Sequence, residues 1–330
     1  MNLLGSLKYL LALDEHKHFG RAAQACHITQ PALSNALRAL ESEFGTAIVT
    51  RGRNFVGFTK EGQRVLVSAR RMLHEQELLR QELDGAATRP QGSLRLGAVP
   101  TAMPIAARFC AMLQARHPGI VPVALSLSSP EIETGLENLS LDLGLGYTDR
   151  LGARGIRLGI IAQYSEHYFL VRRALHPGEH GLGFGPAISW ALAAGLPLCL
   201  LTPDMHNRTL VDGAFAAAGA VVRPAMETNS LLTLALSVVE GNLCSVLPGA
   251  LVGAVRSYRE LEASPLIDPQ LLTPVGFMIQ AGSRPSRTLE AAIAMAQEPS
   301  WLQHAAAYSG RLGAMDSIAE SPNLTIQLDA

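Results

Sequence analysis

Phe19–Glu43 reads FGRAAQACHITQPALSNALRALESE, apolar and polar positions alternating as in two short helices that meet at a tight corner. Thr29 is placed to cap the second helix, Pro31 falls in its tolerant first turn, and Gly45 stands where a left-handed stop is expected. Leu33, Ala36, Leu37, Leu40 and Phe44 follow the spacing of one buried face, leaving Gln30, Ser34, Asn35 and Arg38 on the other. Amide side chains bond adenine edges, arginine bonds guanine or phosphate, and serine bonds either, all from a helix that fits a major groove. By itself such a face is also what any solvated helix shows.

The flanks decide between these. Leu3 to Ala12 supplies Leu4, Leu7 and Leu11 at helical spacing, and Thr50 to Thr59 looks like two short strands around a basic turn. The unit therefore reads as a winged helix-turn-helix, with Arg51 and Arg53 in reach of phosphates or a minor groove beside the recognition helix. The expected DNA-contacting set is Arg21, Thr29, Gln30, Pro31, Ser34, Asn35, Arg38, Arg51 and Arg53.

The run Phe19, Ala22, Ala23, Gln30, Pro31, Ala32, Leu33, Ser34, Leu40, Glu41, Gly45, Arg51, Thr59 and Gly62 resembles the N-terminal signature of LysR-type transcriptional regulators. Cys26, Val49 and Asn35 depart from that signature, and Asn35, on the exposed face, makes the target sequence less transferable. The resemblance implies a regulator that binds double-stranded DNA as a homodimer or homotetramer, with RNA polymerase as a partner and a small-molecule effector.

The 330 residues suffice for two or three domains with real cores. No run approaches the roughly 18 uncharged apolar residues of a membrane span, and no basic, apolar and cleavage regions open the chain, so the expected location is the cytoplasm, with no membrane partner. Cys26, Cys110, Cys199 and Cys244 form no CxxC pair, which points to buried thiols rather than a disulfide scaffold or zinc site. A redox pair would need two exposed, activated thiols, whereas Cys199 and Cys244 lie in apolar, strand-like runs. Residues 1–71 hold 10 Lys/Arg against 5 Asp/Glu, leaving 17 against 23 elsewhere, so the positive charge suited to a polyanion is confined to the N-terminal part.

From Lys60 to about Ala87 a long charged helix carries Val65, Ala69, Met72, Gln76, Leu79 and Leu83 at four- and three-residue steps. That heptad seam suits a second copy of the chain, with polar Gln76 setting register; packing on its own chain is the plainer alternative. Two paired recognition helices would address half-sites about 34 Å apart or a multiple of that.

The run GAATRPQG at 85–92 marks a boundary. Beyond it come strand candidates at 94–99, 121–127, 141–146, 168–171, 196–201, 221–227, 244–247 and 274–280, with helices at 102–116 and 130–138. Such alternation argues parallel sheets with helices on their faces. The fold class is thus α/β with an N-terminal all-α winged helix-turn-helix domain. The expected divisions are 1–59 for DNA binding, 60–88 for the linker helix, 89–305 for the effector domain and 306–330 for a tail. The resemblance implies that the effector domain is a hinged, periplasmic-binding-protein-like pair: lobe I near 92–160 and 270–300, lobe II near 161–269.

Ligands of open α/β sheets sit beyond the carboxyl ends of strands, at helix N-termini. Hydroxyls and amides occupy those places here: Thr101, Ser128, Ser129, Thr202, Asn229 and Ser230, each of which is also an ordinary helix cap. Their convergence suits an anionic effector. The resemblance adds Ala102, Met103 and Met205 as pocket positions, with Thr148 after the third strand. The GLGFG run at 181–185 has the wrong spacing for a dinucleotide loop and reads as a surface loop. No phosphate loop, nucleophile elbow or HExxH helix is present, and His167, His176 and His180 lack ligand spacing, so neither enzyme nor metal chemistry is indicated. The alternative reading is a small-molecule binding protein or enzyme of binding-protein fold whose helix-turn-helix does not bind DNA.

Overall fold

Thr29 accepts from the Ala32 amide and Gly45 closes the other end at φ +63°, so the recognition helix α3 spans Gln30–Phe44, preceded by α1 (Leu3–His16) and α2 (Phe19–Ala25). In this computed structural model the described residues are 2–52, 55–83, 89–149, 158–177, 181–282 and 284–312, less the side chain of Arg51. They form two compact units, the second beginning at Pro90.

In the first unit Leu7, Leu10 and Leu13 of α1 meet Ala22 and Ala23 of α2 and Leu33, Leu37 and Leu40 of α3 in one core. Phe44, expected on that buried face, is 42% exposed: the periodicity runs on past Leu40, the last α3 residue in the core. Strands β1 (Val49–Arg51) and β2 (Phe55–Phe58) pair antiparallel as the wing. Helix α4 (Lys60–Leu83) starts where Thr59 Oγ1 accepts from the Gly62 amide and donates to the Ala47 carbonyl. A side chain at Gly62 would place its Cβ 2.1 Å from the Ile48 carbonyl oxygen, so only glycine lets α4 approach the wing. The expected seam of α4 is divided. Ala69 is buried in the unit's own core with Val65 packed against it, whereas Met72, Leu79 and Leu83 are 44%, 55% and 79% exposed and Gln76 is exposed too. The first turns of α4 are used locally, and residues 84–88 lie outside the described set.

The second unit contains two sheets. The first runs in the order β4 (Ile120–Ser126), β3 (Gly92–Ala98), β5 (Leu143–Tyr147), β14 (Thr273–Gln280), β6 (Leu158–Glu166). The second runs β11 (Met226–Thr228), β10 (Leu198–Leu201), β12 (Cys244–Pro248), β7 (Tyr168–Arg173), β13 (Leu261–Ile267), β8 (Gly183–Phe184), with β9 (Ile188–Ser189) also on β13. Helices α5 (Met103–Arg116), α6 (Ser129–Glu137), α11 (Arg287–Ala296) and α12 (Pro299–Ala307) belong to the first lobe; α7 (Trp190–Ala193), α8 (His206–Ala217), α9 (Leu231–Glu240) and α10 (Gly249–Ala254) come from the second lobe's stretch of chain.

The sheets are mixed, not purely parallel. β3, β4 and β5 are parallel, but β14 is antiparallel to β5 and β6, and β7 to β12 and β13. The reason is the hinge. β6 leads through His167 straight into β7, and β13 through residues 268–272 into β14, so each strand leaving one sheet enters the other against its neighbours. Two further expectations are corrected. Residues 221–225 are coil, with Val221 exposed, and the strand is confined to Met226–Thr228. Gly183–Phe184 within the GLGFG run pairs with Glu262 and Ala263 rather than forming a free loop. Of the stretch named above as a tail, residues 306–312 are described: α12 extends to Ala307, and Ser309, Gly310 and Leu312 are buried.

Candidate functional sites

On α3, Thr29, Gln30, Pro31, Asn35 and Arg38 are exposed and Ser34 is half-buried. Arg38 Nη1 donates to Asn35 Oδ1 at 3.0 Å, so the two share one polar surface. Arg21, exposed on α2, donates to the His16 carbonyl at 3.0 Å. Arg53 and the Arg51 side chain lie outside the described residues. The wing is tied to the recognition helix by Glu41, whose Oε1 accepts from the amides of Ile48 and Val49, each at 3.0 Å.

Between the two α/β lobes lies a cleft of about 640 Å³. Lobe I lines it with Val99–Thr101 after β3, Ser126–Glu131 at the start of α6, and Tyr147 at the end of β5; lobe II contributes Asp204–Asn207 and Thr209 at the start of α8. Of the residues expected there, Thr101, Ser128, Ser129 and Met205 line the cleft. Ala102 and Met103 turn instead into the lobe I core because they open α5. The Thr148 amide donates to the Pro274 carbonyl, Thr202 stands behind the cleft with its amide on the Thr228 carbonyl, and Asn229 is exposed beside the Ser230 cap of α9.

Sequence reasoning missed Tyr147 and Asn207. Thr101 Oγ1 and Tyr147 OH are 2.7 Å apart, and Asn207 Nδ2 donates to Tyr147 OH at 3.2 Å and Tyr168 OH at 3.3 Å, with Tyr168 OH in turn 3.3 Å from Thr273 Oγ1. This buried chain touches both lobes and both crossing strands. Burial, only partly offset by the Thr101 and Asn207 bonds, pushes the Tyr147 phenol up to about 12, so it remains a neutral donor. Ser129 Oγ is buried without a hydrogen-bond partner, a cost that a bound acceptor or donor would remove. Ser128 donates to Glu131 Oε2 through both Oγ (2.7 Å) and its amide (2.8 Å), which holds that carboxyl below its ordinary range. Among the described residues lining the cleft there is no Lys or Arg, and Met205 gives α8 no side-chain cap. The cleft's polar groups besides its carboxylates are thus hydroxyls, an amide, the His206 imidazole and helix-start N–H groups.

Cys199 and Cys244 sit on adjacent strands but on opposite faces of the sheet, Cys199 in the core shared with Phe169 and Leu247, Cys244 in that shared with Trp190 and Phe215. Burial raises both thiols, and raises Cys110 to about 11.

The family described as "Bacterial regulatory helix-turn-helix protein, lysR family" matches residues 4–63, and that described as "LysR substrate binding domain" matches 87–300. The chain is 28% identical to the DNA-binding transcriptional dual regulator OxyR of Escherichia coli K12 over 283 residues, 84% of this chain and 89% of that protein. It is 39% identical to the SDS degradation transcriptional activation protein of a Pseudomonas species over 121 residues, 36% of this chain and 40% of that one. Its fold is shared with a full-length OxyR variant from Pseudomonas aeruginosa (TM-score 0.69, 24% identity, 88% of this chain and 96% of that one). It is shared also with full-length CbnR in complex with its target DNA (TM-score 0.60, 19% identity, 92% and 99% covered). With a helix-turn-helix unit followed by a two-lobed cleft domain, both matched by the family, the chain belongs to the LysR family and is a DNA-binding transcription regulator with an effector-binding domain, not an enzyme.

Proposed function

We propose that the cleft between the lobes binds a small effector bearing an anionic group, and that its occupancy alters how paired recognition helices sit on DNA. The observation that carries this reading is the buried, unpartnered Ser129 hydroxyl at the start of α6, facing a cleft whose other donors are the Thr101–Tyr147–Asn207 chain and the uncapped start of α8. Glu131 and Asp204 border the same cleft, so a small anion of low charge fits better than a polyanion. Several relatives carry the name hydrogen peroxide-inducible genes activator. A thiol response is not carried over, because the cysteines of this chain are raised rather than activated.

Thr29, Gln30, Ser34, Asn35 and Arg38 would address base edges, with Pro31 shaping the helix start, while Arg21, Arg51 and Arg53 contact the backbone or minor groove. The exposed Met72, Gln76, Leu79 and Leu83 are the part of α4 left for a second copy, giving a homodimer or homotetramer that acts on RNA polymerase in the cytoplasm. The test is selection of bound duplexes from a random pool, followed by titration of the winning sequence with monocarboxylates and inorganic oxyanions. An interrupted palindrome whose affinity shifts with one anion, and no longer shifts in Ser129→Ala, supports the reading; sequence-blind binding indifferent to every anion removes it.

A further inference from the structure

Among the described residues the hinge between the lobes is crossed not by two stretches of chain but by three, and the third is C-terminal. Helix α12 is fixed in lobe I, where Trp301 and Ala305 are fully buried and Trp301 Nε1 donates to Gln163 Oε1 of β6 at 2.6 Å. Seven residues on, Leu312 is 2% exposed and belongs to the core of lobe II. Between these anchors the chain passes against α10 and the crossing strand at backbone distance. A Cβ on Gly249 would lie 2.2 Å from the Gly310 carbonyl oxygen, one on Gly253 2.4 Å from that of Tyr308, and one on Gly310, itself at φ +58°, 2.8 Å from that of Ser165. Glu166, buried at the end of β6, accepts from the Gly310 amide at 2.9 Å and from the Ala250 amide at 3.3 Å.

We propose that Tyr308–Leu312 is a strap which, pinned on Glu166, limits rotation of one lobe against the other and so sets the amplitude of the effector response. This rests on the reading that the effector binds between the lobes. The segment has no slack to give: the Tyr308 amide bonds the Ala305 carbonyl, the Ser309 hydroxyl bonds the same carbonyl, and the Leu312 amide bonds the Ser309 carbonyl. Rotation that carries the Leu312 socket away from Trp301 must unmake these turns or pull Gly310 off Glu166. Glu166 therefore acts as a positioning residue for the lobes, without touching the cleft.

Hydrogen exchange on the full chain tests this. Gly310→Pro deletes the amide that Glu166 holds and excludes φ +58°; Leu312→Ser weakens the far anchor and decides the matter if the proline variant does not fold. The expected result is exchange about tenfold faster at Ala250, the effect of losing one such bond. The central strands β3 and β12 keep wild-type protection. Unchanged exchange at the hinge overturns the proposal, as does equal loss of protection in β3 and β12, which would make the segment an ordinary part of the fold. The readout needs no effector, so its failure leaves the ligand reading standing, and a cleft that binds no anion leaves the exchange result intact.

Discussion

Asn207 of lobe II places both protons of its side-chain amide on tyrosine hydroxyls, that of Tyr147 in lobe I at 3.2 Å and that of Tyr168 at 3.3 Å. Its removal takes one of two partners from each of these buried hydroxyls, leaving Thr101 to Tyr147 and Thr273 to Tyr168. Asn207→Ala is expected to cost about 1–3 kcal/mol in urea denaturation, and Tyr147→Phe less. The two losses are not additive: a double-mutant cycle is expected to return a coupling of about 1 kcal/mol. Strict additivity would mean that the lobes do not communicate through this bond.

The wing is held by Glu41 in addition to its own two-stranded pairing. Glu41→Ala leaves the amides of Ile48 and Val49 without their acceptor, and a loss of about 1–3 kcal/mol in the stability of the N-terminal unit is expected. Operator affinity should fall with it although the exposed residues of α3 are untouched; retention of full affinity in a gel-shift titration would show that the wing holds itself.

Stability should depend on pH through the hinge. Burial pushes the Glu166 carboxyl up to about 8, against the bonds from Gly310, Ala250, His167 and Gly249 that favour its charged form. From about 4.5 to 8 the folded chain therefore keeps a proton that the unfolded chain has released, and stability falls as pH rises. His167 acts in the opposite sense: burial, then the charge of Arg311, lowers it to about 4, so between 4 and 6.5 stability rises with pH. The two oppose one another below 6.5, and only Glu166 acts above it, giving an expected decline of about 2 kcal/mol from pH 6.5 to 8. Glu166→Gln should flatten that limb in thermal denaturation series; a decline that survives the substitution assigns it to another group.

Peroxide should leave the protein's DNA affinity unchanged. Cys199 and Cys244 face opposite sides of one sheet, so no disulfide can join them without unfolding lobe II, and burial raises the Cys26 and Cys110 thiols away from reactivity. Equal gel-shift isotherms with and without peroxide, and a full thiol titre after unfolding, are expected; loss of two thiols together with altered affinity would refute this.

What could be read in the sequence was what is set locally. Thr29 and Pro31 mark the start of α3 and Gly45 its end, and the helix is found between those marks. Strands β6 and β13 escaped notice because nothing near them marks their role: β6 is completed by β14, more than a hundred residues away, and the hinge dictates its direction. The same holds at the cleft. Ser128 and Ser129 follow a strand visibly, whereas Tyr147 and Asn207 lie 60 residues apart and meet only when the lobes assemble. Phe44 shows the converse failure, a periodic residue for which the core had already ended.

Because one carboxylate fastens the wing to the helix that precedes it, the two elements proposed to face DNA form a caliper of fixed span. Such an instrument cannot adjust to a groove that is too wide or too narrow; the duplex must adjust instead. Base pairs lying between the points touched by α3 and by the wing should then influence affinity through their stiffness alone, and a flexible pyrimidine–purine step there would be favoured without any side chain reading it.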